Sequence, residues 1–207
     1  FKAESAIVIN KGSSNGFNLN RFSLERINEN DRESLLLELG IKEKFVFGFV
    51  SRIYDRKGIN ELYQAFSKLS NQFSDAVLLM VGRYEEGQTS DKRILELLRE
   101  HDKILLVGPQ KDIPLFLSLM DVFVLPAWGE GFGNVMVEAA AMGLPVIGTN
   151  STGIRDSFQH GFNGLGIEPK NAKELEDAMK ALYLDPELRM SLGKNGPVWA
   201  ENFDNKI

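Results

Sequence analysis

Residues 122–149 read VFVLPAWGEGFGNVMVEAAAMGLPVIGT, and this stretch decides the fold class. It opens on an apolar run, VFVLPA, of strand length and strand composition. Gly129, Gly131 and Gly133 then alternate through a loop. Residues 134–142 form an apolar, Ala-rich helix, and PVIGT at 145–149 is a second strand behind Gly143. Strand, glycine loop, helix and strand in that order make a βαβ unit. Working outward, the alternation recurs. Strands are expected at 45–50 (FVFGFV), 76–82, 104–108 and 164–168. Helices are expected at 58–69, where Ile59, Leu62, Tyr63, Phe66 and Leu69 keep helical spacing, and at 91–100, 113–120, 172–184 and 187 to about 202. Strands that are apolar throughout belong to a parallel sheet buried on both faces. The fold class is therefore α/β: a Rossmann-like, doubly wound parallel sheet of about six strands with helices on both faces.

No repeat or composition shift divides the chain, so residues 1–207 read as one domain. Residues 1–40 form an opening linker segment, with a strand at 6–9, the polar turn KGSSNGFNLN and a helix around 32–39. Lys plus Arg number 24 against 29 Asp plus Glu, a net charge of −5, which argues against a nucleic-acid partner needing a basic face. Cys is absent, which removes disulfides, thiolate nucleophiles and Cys-based metal sites. His101 and His160 have no second ligand at metal spacing. No apolar run approaches the roughly 18 residues of a membrane-spanning helix. The opening FKAESAIVIN lacks the basic start of a signal peptide and an initiator Met, so the expectation is a cytoplasmic piece of a longer protein.

In open α/β sheets, ligands bind beyond the C-terminal ends of the strands. Two loops at those ends carry the chemistry. In the first, the glycines before the 134–142 helix let a ligand approach the backbone at the positive end of the helix dipole, an anion site. Glu130 in that loop and Glu138 in the helix would repel a phosphate unless they face its uncharged neighbours, and sugar or ribose hydroxyls suit an ionised carboxylate. In the second, SRIYDRKG at 51–58, Arg52 and Lys57 flank a turn. Lys57 opens a helix, where a cation opposes the dipole, and an anion between the two, such as a diphosphate, explains them. The bland rivals are a surface carboxylate at Glu138, a loop charge at Glu130 and a solvated Arg52/Lys57 turn. Asp55 and Arg56 read as solvated, Arg83 stays open between ligand and surface, and Trp128 and Phe132 read as packing residues.

These residues carry a family resemblance. Glu130 and Glu138, with seven residues between them, match the E-x7-E pattern of retaining GT-B glycosyltransferases of family 4, also called group 1. SRIYDRKG resembles that family's G-R-x(3–4)-K-G turn, with Ser51 in place of the usual Gly. KGSSNGFNLNRF resembles the linker opening its donor-binding domain. GFNGLGIEPKNAKELEDAMKALYLDPELRMSLGKNG resembles its last strand and helices. Thr152-Gly153 departs from a common Gly-Gly pair. The resemblance implies a C-terminal nucleotide-sugar (donor) binding domain whose N-terminal acceptor domain is absent from this chain. It implies that Arg52 and Lys57 grip the donor diphosphate, that Glu138 binds the ribose, and that Glu130 is catalytic, at the donor sugar near the reacting carbon. It places backbone groups of Gly131, Phe132, Gly133 and Asn134 around sugar and phosphate, and Gly108, Gln110, Lys111 and Ile113 by the nucleobase. It further implies a UDP-sugar donor and a glycan or lipid-linked acceptor in bacterial capsule or lipopolysaccharide synthesis. The setting would be cytoplasmic, peripheral at the inner face of the plasma membrane through the missing domain. No cofactor is expected, since the nucleotide-sugar is a substrate. No essential metal is expected either, since no Asp-x-Asp occurs. The rivals are a nicotinamide-binding dehydrogenase, for which G-x-G-x-x-N is a poor fingerprint, an epimerase-like enzyme, and a non-catalytic nucleotide-binding module.

Overall fold

The structure is a computed structural model and describes residues 18–204. The strand expected at 6–9 and most of the polar turn lie outside the described residues. After a helix α1 (Glu29–Glu38), strands and helices alternate: β1 (Phe45–Val50), α2 (Ile59–Gln72), β2 (Ala76–Val81), α3 (Arg93–Glu100), β3 (Ile104–Leu106), α4 (Ile113–Leu117), β4 (Val122–Leu125), α5 (Asn134–Ala141), β5 (Val146–Thr149), β6 (Gly164–Ile167), α6 (Ala172–Leu184) and α7 (Pro186–Ala200).

The six strands form one parallel sheet in the order β3-β2-β1-β4-β5-β6, so the order reverses between β1 and β4. Phe47 on β1 pairs with Leu78 on one side and Val122 on the other. Right-handed crossovers then put α2 and α3 on one face and α5 on the other. Every residue of β2 and β4 is buried, as apolar strands between two helix layers must be. The helices bury the face their spacing sets out: Ile59, Leu62, Ala65, Phe66 and Leu69 of α2 all lie in the core.

Helix ends differ from the periodicity for local reasons. α4 stops at Leu117, short of the expected 120, because its last turn tightens. The N–H groups of Leu119 and Met120 bond to carbonyls three residues back, and the Ser118 hydroxyl donates to the Leu115 carbonyl at 2.6 Å. At its start, the Asp112 side chain accepts from the Leu115 N–H, with Pro114 in the first turn. The helix expected to run to about 202 ends at Ala200 and passes into a tight turn, Glu201–Phe203.

The reversal between β1 and β4 sets the turn after one strand against the loop after the other. Gly58 makes that contact possible. Its φ is 73°, and a Cβ there would lie 2.1 Å from the Pro126 carbonyl oxygen, while the Trp128 N–H donates to the Arg56 carbonyl at 2.8 Å. Gly58→Ala is expected to destabilise the chain by about 2 kcal/mol or more, from backbone strain plus that clash. Urea unfolding of the two proteins measures it, and an unchanged midpoint would refute the close approach.

Candidate functional site

The turn after β1 runs from Ser51 to Gly58 and carries the predicted cations. Arg52 is exposed, with its guanidinium 5.1 Å from the centre of the Tyr54 ring. Lys57 ends a short 3-10 turn, Asp55–Lys57, and its ammonium lies 5.9 Å from the same ring. Both cations thus lie within cation–π range of the Tyr54 ring. Asp55, expected to be solvated, is instead buried. It accepts from the Ser90 N–H at 2.7 Å and from the Ser90 hydroxyl, and Asn60 approaches its other oxygen at 3.5 Å. A carboxylate can be buried there because these donors replace water. The effect is to lock the turn, and with it Lys57, onto the loop after β2.

Lys57 is buried, and its ammonium donates to the Glu130 carboxylate across the switch point. The two groups expected on diphosphate and donor sugar are therefore each other's partners. Burial, then the charges of Arg52 and Arg56, pull the Lys57 pKa down to about 8.

The glycine loop is held from the side of β5. The Glu130 N–H donates to the Thr152 carbonyl at 3.1 Å, and the Gly133 N–H to the Gly153 carbonyl at 3.2 Å. Gly153 has φ 80°, and a Cβ on it would sit 2.2 Å from the Glu130 carbonyl oxygen. Thr152 contributes a carbonyl only and keeps an ordinary negative φ, so the departure from Gly-Gly falls on the tolerant position of the pair. α5 begins at Asn134 with no side-chain cap, which leaves the positive end of its dipole without a side-chain acceptor. Gly131 and Asn134 are exposed there, and Gly133 is buried. Phe132 packs its ring 5.3 Å from that of Phe203, beside Val137 and Trp199, as expected of a packing residue.

Glu138 is half-buried, one turn into α5. Burial raises its pKa, and the Arg21 guanidinium draws it back down. The predicted nucleobase loop follows β3. Gly108 takes φ 69°, Gln110 turns its amide back onto the Val107 carbonyl at 2.8 Å, the Lys111 carbonyl accepts from Arg21 at 3.2 Å, and Ile113 opens α4. Trp128 does more than pack. Its indole N–H donates to Glu61 at 3.3 Å, Lys170 lies 4.2 Å from its ring centre, and it lines an open cleft of about 580 Å³ with Tyr54, Arg56, Gly129, Glu130 and Thr152. Arg83 pairs with Glu85 at 2.9 Å on the surface. His160 accepts from the Gly166 N–H, and His101 packs against Tyr63 and Phe66, so both imidazoles have structural partners. Among the described residues no cluster of three or more metal-ligating side chains occurs, and no helix is long and apolar enough to cross a membrane.

The sequence pattern of residues 31–199 matches the family model for glycosyl transferases group 1. The capsular polysaccharide biosynthesis glycosyltransferase CapM of Staphylococcus aureus is 34% identical over 100% of this chain and 53% of that protein. The N,N'-diacetylbacillosaminyl-diphospho-undecaprenol alpha-1,3-N-acetylgalactosaminyltransferase of Campylobacter jejuni is 29% identical over 93% of this chain and 50% of that protein. The chain thus spans about half the length of the curated relatives it matches. The crystal structure of Anabaena HepE with UDP and glucose superposes with a TM-score of 0.81 and 25% identity, over 92% of this chain and 52% of that one. A C-terminal domain of a group 1 protein from Francisella tularensis, solved by itself, shares the fold with a TM-score of 0.79 over 92% of this chain and 100% of its own. Sequence pattern and three-dimensional order agree, and the chain belongs to the group 1 glycosyltransferases, with the Rossmann-like sheet of a GT-B domain.

Proposed function

We propose that the chain is the donor-binding, C-terminal domain of a retaining glycosyltransferase. It holds a UDP-sugar while the sugar passes to a glycan or lipid-linked acceptor during synthesis of a bacterial surface polysaccharide. One observation carries this reading: the switch point brings Lys57, on the same turn as Arg52, against Glu130 of the loop that leads to the uncapped start of α5. Cations and a helix start suit a diphosphate, and carboxylates beside them suit hydroxyls rather than a second anion. The printed names of the relatives support the glycan setting, and the UDP held by the Anabaena structure supports the nucleotide.

On this reading the anomeric C–O bond to the diphosphate breaks and its electron pair goes to the phosphate oxygen. The acceptor oxygen bonds to the anomeric carbon on the same face and gives its proton to that departing phosphate oxygen. Arg52, Lys57 and the start of α5 stabilise the negative charge on the nucleoside diphosphate, and Glu130 stabilises the positive charge growing at the sugar. The acceptor is presented by the partner domain that longer relatives carry, so the chain alone binds donor without transferring sugar. Calorimetric titration with UDP, a UDP-sugar and NAD tests the reading. UDP is expected to bind well ahead of NAD, and a chain that prefers NAD or ignores UDP would overturn it.

Glu138 has a separate share. Its side chain leans toward the start of α5, where a ribose would lie against the diphosphate. In the enzyme carrying this domain, Glu138→Gln is expected to weaken UDP binding about tenfold and leave kcat at saturating donor nearly unchanged. A ribose contact is kept from ground state to transition state, so it affects binding rather than turnover. Steady-state kinetics with UDP as inhibitor separates the two, and a fall in kcat alone would remove Glu138 from the ribose site.

A further inference from the structure

The turn that carries Lys57 closes on its own backbone. The Lys57 N–H donates to the Tyr54 carbonyl at 2.9 Å, and the Gly58 N–H to the Asp55 carbonyl at 2.8 Å. The Asp55 side chain is not needed for that local shape, yet it is buried, which costs a carboxylate free energy unless donors replace water. Its donors come from another loop. One oxygen, Oδ2, accepts from the Ser90 N–H at 2.7 Å and from the Ser90 hydroxyl, 35 residues along the chain. Ser90 is in turn placed by β2. The Ile53 N–H donates to the Arg83 carbonyl at 2.8 Å and the Glu85 N–H to the Ile53 carbonyl at 3.0 Å, so the pairing of β1 with β2 continues past both strand ends. Buried Thr89 then donates its hydroxyl back to the Glu85 carbonyl at 3.1 Å, and Ser90 follows at an exposed position. On its other side the turn is tied to the loop after β4, through the Arg56 carbonyl and the Trp128 N–H at 2.8 Å.

Resting on the donor-site reading above, we propose that Asp55 and Ser90 are positioning residues for the donor diphosphate, whose latch sets the place of the Lys57 ammonium and so controls donor affinity through Lys57. Lys57 lies two residues beyond Asp55 in one tight turn, so a shift of Asp55 passes to Lys57 with little slack. A hydrogen bond from an ammonium to a phosphate weakens steeply with distance and angle, and a misplacement of about 1 Å is enough to lose much of it. Groups that hold a ligand keep such geometry only when the residues behind them are themselves fixed by hydrogen bonds. Without the latch, the turn keeps its bond to Trp128 but loses Ser90 on the β2 side, and Lys57 samples a wider range of positions. A carboxylate at position 90 would go further, because it would face the Asp55 carboxylate and push the two loops apart.

The test is calorimetric titration of the chain and its Ser90→Ala, Ser90→Thr, Ser90→Asp and Asp55→Asn variants with UDP, inorganic pyrophosphate and uridine. Ser90→Ala is expected to lose about fivefold on UDP and pyrophosphate, and Ser90→Asp and Asp55→Asn about tenfold or more, the range of a weakened contact to a charged group. Uridine, which has no phosphates, is expected to bind all of them about as it binds the wild type. Ser90→Thr keeps both donors and adds a methyl at an exposed position, so it is expected to restore wild-type UDP affinity. Asp55 is buried and Ser90 exposed, so the Ser90 variants carry the test where Asp55→Asn unfolds. A loss shared equally by UDP and uridine overturns the proposal, because the contact then only supports the fold. So does a loss that Ser90→Thr fails to restore. A wild-type chain that ignores UDP overturns the donor reading and the latch with it, whereas equal UDP binding by wild type and Ser90→Asp removes the latch alone.

Discussion

Glu130→Gln in the enzyme carrying this domain is expected to lower kcat by about 10²–10³-fold while UDP affinity rises. The two halves have different causes. Positive charge grows at the sugar only as its bond to the diphosphate breaks, so a carboxylate beside it acts mainly in the transition state, and removing one such preorganised charge costs about 10²–10³ in kcat. The gain in affinity comes from the ground state. Lys57 is paired with Glu130, and a diphosphate that meets the ammonium competes with that carboxylate. A neutral amide competes less, so Lys57 is freer to meet the phosphate. The substitution keeps size and backbone contacts, including the Glu130 N–H bond to the Thr152 carbonyl, so the loop keeps its shape, while the unfolding midpoint falls because the buried Lys57 ammonium loses its anionic partner. Single-turnover kinetics with UDP titration checks both halves. Normal kcat would make Glu130 a structural partner of Lys57, and reduced UDP affinity would mean that the ion pair prepares the lysine rather than occupying it.

The sheet and its helices are legible in the sequence because burial imposes periodicity. FVFGFV, AVLLMV and VFVL are apolar at every position, and only a strand covered on both faces asks for that. The two site loops are legible for a related reason: glycines and charges following such strands fall at one edge of the sheet. The pairings between loops are not legible. Lys57 and Glu130 are 73 residues apart, and each taken alone reads as a ligand contact. Only the reversal of strand order between β1 and β4 makes them neighbours. Asp55 fails in the other direction. A charged residue in a polar turn reads as solvated, and what buries it is Ser90, 35 residues on, in a loop without regular pattern. Arg21 follows the same rule: its partner Lys111 lies across the fold, and local propensity carries no information about it. Periodicity reports the environment of a segment, whereas an ion pair between two loops reports topology.

Lys57 is the residue on which the donor reading is most exposed to refutation. Lys57→Ala is expected to weaken UDP binding by about 1.5–3 kcal/mol, the range of a hydrogen bond to a charged group, and to leave uridine binding nearly unchanged. The pH dependence follows from the same site. In the free chain, burial and then the neighbouring Arg52 and Arg56 charges draw the Lys57 pKa down to about 8. A bound diphosphate adds two or more negative charges beside the ammonium and raises that pKa again. Between the two values the complex holds a proton that the free chain does not. Binding near pH 8 to 9 therefore takes up a proton, and UDP affinity falls as pH rises through that window, while below it Lys57 is charged in both states and affinity is flat on its account. Calorimetry in buffers of different ionisation enthalpy counts the proton directly, and Lys57→Ala should abolish the uptake along with the slope. Proton release on binding, or a slope that survives in Lys57→Ala, would place the diphosphate away from Lys57. Equal loss of uridine and UDP would do the same by another route, because a residue that grips the diphosphate has nothing to lose when the phosphates are missing.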